Sequence, residues 1–527
     1  MAIVQLQAIT YEIGNRKLFS VDHLSIDQGD RIGLVGVNGS GKTTLLEMIH
    51  GLREPSEGSI TRQATTELIP QLKEQVSTLS GGEISQSVVR EVFSYPFDLL
   101  LADEPTTHLD INHIDWLKSL FKRIETFVVI SHDRDFLDSF CTHIWEIDEQ
   151  SIHVYKGNYS DYKQQKELEI LQHEKDYEKY IKKKKQLETA MQTKEQKAQR
   201  ATRTPKKISA SEAGSLGAKP YFAKKQKKLH QGVKSIQSRI DQLEQVDKPF
   251  EAKPLKMNLP YHKELKNRII IRGEQISGWI GGRKLWDPID FLIRSGDKIA
   301  LMGPNGSGKT TFLNKLVGCE EGIQFVPSVQ IGYFSQMLEG LNTEASILEN
   351  VMSTSYQDET TTRIVLGRLG FKRDTVLKSV HVLSGGERVK VSLAKLFVSE
   401  SNVIILDEPT NYLDLQAMEA LEVLLSEYEG TILMASHDRR LLEKVGTRIF
   451  EFTGSELRVF DGSFKAYQYA QQVKKAHEPH EDELLAVETK ISEVLSRLSL
   501  ENNSELESEF QQLLKQKKML ENQLNRS

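Results

Sequence analysis

Two short segments carry the residue types and the spacing needed to hold phosphate groups. GVNGSGKT, residues 36–43, and GPNGSGKT, residues 303–310, both fit the pattern G-x-x-x-x-G-K-[ST] between an apolar stretch and a helical one. In this pattern, backbone N–H groups surround phosphate oxygens, the lysine reaches the outer phosphates and the threonine hydroxyl binds Mg²⁺. We therefore predict two nucleotide sites, formed by Gly36, Asn38, Gly39, Ser40, Gly41, Lys42, Thr43 and Thr44, and by Gly303, Asn305, Gly306, Ser307, Gly308, Lys309, Thr310 and Thr311.

Acidic residues follow a second pair of apolar stretches, DLLLADEP and NVIILDEP. Asp103 and Asp407 end predicted buried strands, where a carboxylate can join the nearby threonine in holding Mg²⁺. The next residues, Glu104 and Glu408, are the candidates to polarise the water that attacks the outer phosphate.

A histidine follows a third pair of apolar stretches, TFVVI and TILMA, within the tetrapeptide SHDR. We expect His132 and His437 to contact the γ-phosphate of the nucleotide. A single histidine is more often structural, but its recurrence at the same place in both halves of the chain favours a function.

The tetrapeptide SGGE occurs once in each half, as Ser80, Gly81, Gly82 and Glu83 and as Ser384, Gly385, Gly386 and Glu387. Ser-Gly-Gly at the start of a helix binds anions, because free backbone N–H groups point outwards there. Each half already has a phosphate loop, so a second anion site within the same half would be surplus. We therefore expect each SGGE to close on the nucleotide that the other half holds.

These motifs belong to a long internal repeat. GNRKLFSVDHLSIDQGDRIGLVGVNGSGKTT from Gly14 matches GGRKLWDPIDFLIRSGDKIALMGPNGSGKTT from Gly281 without a gap, at an offset of 267 residues. Both copies then present LSGGE, DEPT and SHDR in the same order. We predict a nucleotide-binding module over residues 1–162, an insert over 163–258, a second module over 259–474 and a tail over 475–527.

The insert has the pattern of two long helices. We predict an antiparallel hairpin with arms of roughly 40 residues, about 60 Å long at 1.5 Å per residue. Residues 181–230 carry a net charge of +12 against −17 for the remainder, which favours a polyanionic partner. A merely solvated lysine-rich helix is the other interpretation. The apolar residues at heptad spacing are Ile170, Tyr177, Tyr180, Leu187 and Met191, then Leu229, Val233, Ile236, Ile240 and Leu243.

The apex of the hairpin, over about residues 200–224, contains the helix breakers Pro205, Gly214, Gly217 and Pro220. Its lysines suit phosphates, and its aromatic side chains suit stacking on bases. The alternative, that the aromatic residues only pack the tip of the hairpin, stays open. The predicted RNA-contacting residues are Lys206, Lys207, Lys219, Tyr221, Phe222, Lys224 and Lys225.

The tail repeats the two-helix pattern on a smaller scale. Two apolar stripes are separated by ENNS, and Ser504 with Glu507 fits a capping box for the second helix. Whether this hairpin contacts a partner or packs on the second module is open. The stripes are Leu484, Val487, Ile491, Val494 and Leu498, then Leu506, Phe510, Leu513, Leu520 and Leu524.

The composition excludes several classes of protein. Two cysteines in 527 residues are too few for a disulfide framework, an iron–sulfur cluster or a cysteine-rich zinc site. No stretch approaches the roughly 18 apolar residues of a membrane span. The N-terminal MAIVQLQAITYEIG lacks a basic region followed by an apolar core. We therefore expect a cytoplasmic protein that does not cross a membrane.

The order of the motifs resembles the ATP-binding cassette superfamily over both modules. The resemblance implies an α/β fold with two P-loop domains, each with a core sheet, an antiparallel subdomain and a helical subdomain that carries SGGE. It implies ATP and Mg²⁺ as ligands and ATP hydrolysis as the activity. It also implies that Gln71 and Gln336 reach the metal and that Tyr11 and Trp279 stack on adenine, although the repeat puts these aromatic residues one position apart.

Two cassettes on one chain, with a helical insert and no membrane segment, resemble the ABC-F subfamily, which acts on ribosomes. EPTTHLD and EPTNYLD each depart from the subfamily's EPTNHLD at one position, in the predicted contact loop. The shortened first cassette, the long apex and the tail hairpin are similar to the Vga-type antibiotic-resistance proteins.

That similarity implies a monomer whose two ATPase domains pair and which binds the ribosomal exit-tRNA site in its ATP state. The implied partners are 23S rRNA, P-site tRNA and exit-site proteins. The apex would point towards the peptidyl-transferase centre and promote release of lincosamides, streptogramin A and pleuromutilins.

The first module is shorter than the second between the glutamine and SGGE. Gln71 precedes Ser80 by nine positions, whereas Gln336 precedes Ser384 by 48. In transporter cassettes this region forms the helical subdomain beside which the membrane partner docks. Its loss argues against the ATPase subunit of a drug exporter, which is one alternative. A housekeeping translation factor that relieves stalled ribosomes is the other.

Overall fold

The computed structural model describes residues 2–14, 16–71, 81–107, 109–201, 218–243, 257–260, 268–334, 340–371, 373–471 and 510–518, and the single residues 246, 265, 473, 487, 490, 491 and 494. The chain divides into two compact units, Met1–Val154 with Pro254–Ser527, and Tyr155–Lys253. Both repeat modules lie mainly in the first unit, and most of the predicted insert forms the second. The predicted α/β fold with two P-loop domains is confirmed.

The first module is built from thirteen helices and strands in the described part. They are β1 Ala2–Ile13, β2 Arg16–Asp27, β3 Arg31–Gly36, α1 Lys42–His50, β4 Glu57–Arg62, β5 Thr66–Ile69, α2 Gly81–Val92, β6 Leu99–Asp103, α3 Ile111–Phe121, β7 Phe127–Ile130, α4 Arg134–Phe140, β8 His143–Asp148 and β9 Ser151–Lys156. The apolar runs of β3, β6 and β7 are buried, as expected for parallel strands covered on both faces.

The described strands of the first module form a nine-stranded sheet in the order β4-β1-β2-β9-β8-β3-β7-β6-β5. Strand β3 lies parallel between β7 and β8, so the phosphate loop leaves the middle of the parallel part. Strands β1, β2 and β4 are antiparallel and join the rest through one pair, Ser20 with Ser151. The parallel part therefore brings its loops to one edge of the sheet.

The second module repeats this strand order. Its strands are β10 Ile269–Ile280, β11 Arg283–Arg294, β12 Lys298–Met302, β13 Ile323–Phe325, β14 Ile331–Phe334, β15 Val403–Asp407, β16 Thr431–Ala435, β17 Arg448–Thr453 and β18 Glu456–Asp461. They form two sheets in the described part, β11-β10-β13 and β14-β15-β16-β12-β17-β18. The Asp287 N–H donates to the Ser455 carbonyl at 2.7 Å where the two sheets meet. The sequence repeat is therefore also a structural repeat.

Between its glutamine and SGGE, the second module has helices for which the first module has too few residues. The described helices of the second module are α7 Lys309–Val317, α8 Ile347–Met352, α9 Glu359–Arg368, α10 Gly385–Val398, α11 Leu415–Glu427 and α12 Arg439–Val445, with short 3₁₀ turns at Arg373–Leu377 and Val380–Val382. Helices α8 and α9 stand between β14 and α10 and share a buried core with α10. In the first module the corresponding described chain ends at residue 71 and resumes at α2, because residues 72–80 lie outside the described part.

The described part of the second unit contains two helices that pack against each other, α5 Tyr159–Ala201 and α6 Ala218–Asp241. Helix α5 has 43 residues and spans about 64 Å at 1.5 Å per residue. Helix α6 has 24 residues and follows a segment outside the described part, so the predicted length of roughly 40 residues for the second arm stays a prediction. Pro220 lies in the first turn of α6 and does not break it, because N–H groups there lack helical partners.

The predicted contact stripe between the two helices is correct in part. Ile236 is buried, and Leu229, Val233, Tyr180 and Leu187 are partly buried, as heptad spacing requires. The prediction that Ile170 belongs to the stripe is wrong, because its side chain is more than half exposed. In the predicted tail, Val487 and Val494 are buried, in agreement with the first apolar stripe.

Trp286 fills the core beneath the second phosphate loop. It is fully buried, contacts the rings of Phe312 and Phe452, and donates from Nε1 to the Ile276 carbonyl at 3.2 Å. We expect Trp286→Ala to lower the free energy of unfolding by about 3–5 kcal/mol, because it leaves a cavity. Trp286→Phe, which introduces the residue type found at the equivalent Phe19, should lose less than half of that. Urea denaturation measures both, and an alanine variant within about 1 kcal/mol of the wild type would contradict the prediction.

Candidate active site

Both phosphate loops leave the C-terminal end of a parallel strand and turn into a helix, β3 into α1 and β12 into α7. Gly41 and Gly308 precede the helices with φ of 101° and 99°, a left-handed conformation that glycine adopts without strain. A Cβ on Gly41 would lie 2.8 Å from the Phe19 ring, and a Cβ on Gly308 would overlap the Trp286 ring. The path of the loop therefore requires glycine at both positions.

The predicted phosphate-binding lysines, Lys42 and Lys309, are buried under their loops. In each case Nζ donates to two carbonyl oxygens at the start of the loop, at distances of 2.9–3.2 Å. Burial lowers the pKa of both lysines, and nearby carboxylates partly oppose this shift. Phosphate groups in the loops would supply the opposite charge that favours both ammonium groups.

Two buried hydroxyls test whether the loops fit a nucleotide. Oγ of Ser40 and Oγ of Ser307 have no hydrogen-bond partner among the described residues. The two serines occupy the same position of the repeat, and buried hydroxyls are ordinarily paired. Because phosphate oxygens accept such hydrogen bonds, both loops fit the phosphates of a nucleotide.

The residues at the ends of β6 and β15 fit a divalent cation. The hydroxyl of Thr43 hydrogen-bonds with Asp103, and that of Thr310 with Asp407. Burial raises the pKa of Asp103 to about 6 and also raises the pKa of Asp407. Oδ2 of Asp103 is buried without a partner in the described part of the chain. Carboxylate and hydroxyl oxygens are ligands that Mg²⁺ takes, and its charge would favour the ionised carboxylates.

Glu104 and Glu408 stand at a sharp turn of the backbone. Their φ angles are 50° and 46°, in the left-handed region where a residue other than glycine is strained by about 1–3 kcal/mol. The Glu104 N–H donates to the Ile130 carbonyl at 2.8 Å, and the Glu408 N–H donates to the Ala435 carbonyl at 2.9 Å. These hydrogen bonds to the neighbouring strand hold both turns in place.

In the first site, the Glu104 carboxylate is surrounded by groups that favour its charge. Nε2 of His132 lies 3.2 Å from Oε1 of Glu104, and Nε2 of Gln71 donates to Oε2 at 3.1 Å. Burial would raise the pKa of Glu104, but His132, Lys42 and Gln71 together outweigh it and lower the pKa to about 2. The carboxylate is therefore ionised and oriented, as a group that polarises water must be.

The second site has the same pair in a different electrostatic environment. Nε2 of His437 lies 3.4 Å from Oε1 of Glu408. Burial raises the pKa of Glu408 to about 8, and burial together with Lys309 lowers the pKa of His437 to about 4. Gln336, the counterpart of Gln71, lies outside the described residues. Equivalent catalytic candidates thus have unequal surroundings in the two modules.

Each phosphate loop contacts the other module. Nδ2 of Asn38 donates to the Tyr412 carbonyl at 2.9 Å, and the Asn38 N–H donates to the Asp414 carboxylate at 3.5 Å. In the other site, the Asn305 N–H donates to the Asp110 carboxylate at 3.4 Å. Asp110 and Asp414 also accept hydrogen bonds as the N-caps of α3 and α11. Both nucleotide sites therefore lie where the two modules meet.

The helix that begins with the second SGGE faces the first phosphate loop. A Cβ on Gly386 would lie 3.1 Å from Nδ2 of Asn38 and 2.8 Å from the Tyr412 carbonyl oxygen. Ser384 and Glu387 form a capping box at the start of α10. This is the arrangement that a site shared between modules requires, and the ATP contact of SGGE itself stays a prediction.

The remaining predicted residues are only partly described. Gly81, Gly82 and Glu83 begin α2, whereas Ser80 lies outside the described residues. Of the predicted RNA-contacting residues, Lys206 and Lys207 lie outside the described part, and Lys219, Tyr221, Phe222, Lys224 and Lys225 lie in α6 with only their backbone described.

The two candidate adenine-stacking residues occupy different places in their strands. Tyr11 pairs with Phe19 across β1 and β2, and the Arg53 guanidinium donates to its hydroxyl at 2.9 Å. Trp279 is 54% exposed and directly follows a register shift of β10 against β11. A register shift of this kind changes the direction of the side chain that follows it. The one-position offset in the repeat is therefore compatible with the same role for Tyr11 and Trp279.

Three residues of the contact between modules were not singled out from the sequence. Asp110, Asp414 and Tyr412 belong to EPTTHLD and EPTNYLD. Lys390 of α10 pairs with Asp414 at 2.7 Å, so this aspartate also contacts the helix of the second SGGE. The recurrence of Leu-Asp at the end of both EPT segments was the available signal, since an N-cap aspartate is expected before an apolar helix.

Comparison with known proteins agrees with this geometry. A family model described as "ABC transporter" matches residues 20–71 and 286–411, and a second model of the same description matches residues 145–230. "Ribosome protection protein VmlR" of Bacillus subtilis (strain 168) is 32% identical over 558 residues, which cover 99% of either chain. "Erythromycin resistance ATP-binding protein MsrA" of Staphylococcus epidermidis is 34% identical over 490 residues, 86% of this chain and 98% of that one.

The fold is similar to that of a solved structure, "RNase-L Inhibitor", with a TM-score of 0.57 at 18% identity. The alignment covers 87% of this chain and 90% of that chain. Within the residues that the structure describes, none of the helices is both long and apolar enough to cross a membrane.

Gly386→Ala tests the contact between α10 and the first phosphate loop. The added Cβ would lie 3.1 Å from Nδ2 of Asn38 in the first module and 2.8 Å from the Tyr412 carbonyl oxygen of its own module, so the groups that meet at this contact must shift to admit it. We expect ATP turnover to fall about tenfold, which corresponds to roughly 1.4 kcal/mol in the activation barrier. Steady-state phosphate release measures turnover, and thermal melting of the same sample controls for folding. A folded variant with wild-type turnover would contradict the prediction.

Proposed function

Because the chain belongs to the ABC-F subfamily of ATP-binding cassette ATPases, we propose that it binds ribosomes in its ATP-bound state and releases antibiotics from them. It is an ATPase, as its two cassettes and its relatives imply. The observation that carries the proposal is that the alignment with VmlR spans the helical insert as well as both modules. A resemblance limited to ATP chemistry would cover the modules alone.

In the proposed ATP chemistry, the two phosphate loops hold ATP and the residues at the strand ends act on it. Lys42 and Lys309 bind the outer phosphates, and the serine hydroxyls of the loops donate to phosphate oxygens. Mg²⁺, when bound, neutralises charge on the phosphate oxygens. Thr43, Asp103 and Gln71 would hold it in the first site, and Thr310, Asp407 and Gln336 in the second.

The glutamates and histidines would perform the hydrolytic step. Glu104 and Glu408 orient a water molecule and accept its proton on a carboxylate oxygen. His132 and His437 stand within 3.2 Å and 3.4 Å of these carboxylates and would face the γ-phosphate. Hydrolysis would remove the phosphate that bridges the modules, so the protein would leave the ribosome.

The insert is the proposed route from ATP to the ribosome. Its segment at 181–230 carries a net charge of +12, which suits a polyanion such as RNA. We propose that the insert spans residues 163–258 and that its tip lies at about residues 200–224. The modules on either side would span 1–162 and 259–474, followed by a tail at 475–527. At the ribosomal exit-tRNA site, in the cytoplasm, the tip would contact 23S rRNA and P-site tRNA.

The proposed drugs are lincosamides, streptogramin A and pleuromutilins. The name of the relative MsrA adds erythromycin to the drugs worth testing. Growth of a susceptible host that expresses the protein, measured against each drug, establishes the spectrum. A protein that alters no drug's inhibitory concentration yet accumulates on stalled ribosomes would instead support the housekeeping function.

Replacement of both catalytic glutamates tests the link between ATP and ribosome binding. We expect Glu104→Gln with Glu408→Gln to bind ATP, to lose at least about 100-fold in turnover and to stay on ribosomes, because the general base is absent. Sedimentation with ATP through a sucrose cushion measures binding. The matched control, Lys42→Ala with Lys309→Ala, should stay off ribosomes in ATP. A glutamine variant that binds ATP but sediments free of ribosomes would refute the proposal.

Removal of the tip separates ribosome protection from export. We expect replacement of residues 204–222 by a Gly/Ser linker of equal length to abolish resistance, since the contacts of the lysines and aromatic residues are lost. Both ATP turnover and ribosome sedimentation should persist, because the modules are untouched. Inhibitory concentrations of the drugs give the readout. Unchanged resistance with intact ATPase activity would favour the drug-exporter alternative.

A further inference from the structure

A buried ion-pair cluster joins the two modules behind the ATP sites. Arg134, two residues after His132, extends from the first module into the second. Its guanidinium pairs with Glu422 of α11 and donates to the Asp438 carboxylate at 3.3 Å. The side chains of Arg134 and Glu422 are each 5% exposed, and Lys444 of α12 also pairs with Glu422, at 3.2 Å. The cluster is therefore an internal contact and not a surface one.

The cluster ends directly beside the histidine of the second ATP site. Asp438 follows His437 and is the N-cap of α12, where its carboxylate accepts from the N–H groups of Arg440 and Leu441. Asp133 caps α4 in the same way, one residue after His132. The guanidinium of Arg134 therefore bridges from the histidine turn of one module to that of the other.

A second contact holds the same two helices together. Arg440 of α12 pairs with Asp135 at 2.8 Å and with Asp138, both on α4. Helices α4 and α12 thus face each other across the boundary between the modules. Because each helix begins two residues after a catalytic-site histidine, with only its N-cap aspartate between them, a shift of one helix displaces the histidine turn of the other module.

The counterpart of Arg134 in the repeat does not take part in the buried cluster. Arg439 pairs instead with Asp115, with both oxygens at 3.0 Å, and these side chains are 25% and 56% exposed. Exposed pairs contribute little because water screens them, whereas an unpaired charge left in a buried cluster is strongly unfavourable. Among the described residues, the buried contact of this pair of arginines therefore runs from Arg134 to the second site.

We propose that Arg134 is a positioning residue that couples the two ATP sites, by fixing His437 of the second site from the first module. The second site, Lys309 with Glu408 and His437, would then hydrolyse ATP only when the first module holds its histidine turn in place. The inference rests on the assignment of the two ATP sites proposed above and is independent of the ribosome.

The coupling between the two ATP sites is best measured in a variant in which one of them is inactive. In Glu104→Gln, the first site is inactive and the remaining turnover reports the second site. Arg134→Met with Glu422→Gln removes one positive and one negative charge while it keeps side-chain volume, so the net charge of the cluster, which still contains Lys444 and Asp438, is unchanged. Added to Glu104→Gln, this pair should lower second-site kcat about tenfold, within the usual range of coupling between sites. The Kd for ATP should change less than about twofold, because the proposed role of Arg134 acts through its contacts with Glu422 and Asp438 and not through the phosphate-binding residues.

Two further variants separate positioning from folding. Arg439→Ala, at the exposed counterpart, should leave second-site kcat within about twofold of the background, as an exposed pair contributes little. Arg134→Lys keeps the charge and should restore part of the lost kcat. An unchanged kcat in the Met/Gln variant, or an equal loss in Arg439→Ala, would overturn the proposal. Unchanged total turnover in Glu104→Gln alone would instead overturn the assignment of the sites, which is a distinct result.

Discussion

The hydrogen bond from the Asn38 amide to the Tyr412 carbonyl oxygen joins two halves of a chain whose active sites are made from both. A bond of 2.9 Å forms only if the two modules are held in register. Other features of the first unit support this alignment of the modules. The two modules have the same strand order, which puts their phosphate loops at equivalent edges of the sheets, and Gly41 and Gly308 let the loops pack closely on the cores. Asp110 and Asp414 serve twice, since each caps its own helix and accepts from the phosphate loop of the other module.

The parts of the site that the sequence predicts well depend on residues that are near in the chain or at neighbouring strand ends. Lys42 follows its loop by a fixed spacing, and Asp103 ends a buried strand two places from the strand that leads into that loop. Parallel strands bring their C-terminal ends to one edge, so the contact of Asp103 with Thr43 follows from pattern alone. His132 and Glu104 meet for the same reason, at the ends of adjacent strands β7 and β6.

The parts that the sequence does not predict depend on tertiary packing. Arg134 and Glu422 are 288 residues apart, and no local pattern says which carboxylate meets a given guanidinium. Pro220 is read as a helix breaker from its type, but a first-turn position tolerates it. Ile170 fits the heptad spacing, yet its side chain is more than half exposed. A pattern gives the face that a side chain occupies and leaves open whether another element reaches it.

At Glu104 and Glu408, relief of backbone strain and the proposed chemistry require different residue types. At a left-handed position, glycine avoids the steric strain that any residue with a Cβ carries there. At Glu104 and Glu408, replacement by glycine would delete the carboxylate that we propose as the general base of the hydrolytic step. These two strained positions therefore cannot be relaxed without loss of the proposed chemistry, and a more stable variant of this ATPase has to be sought at other positions.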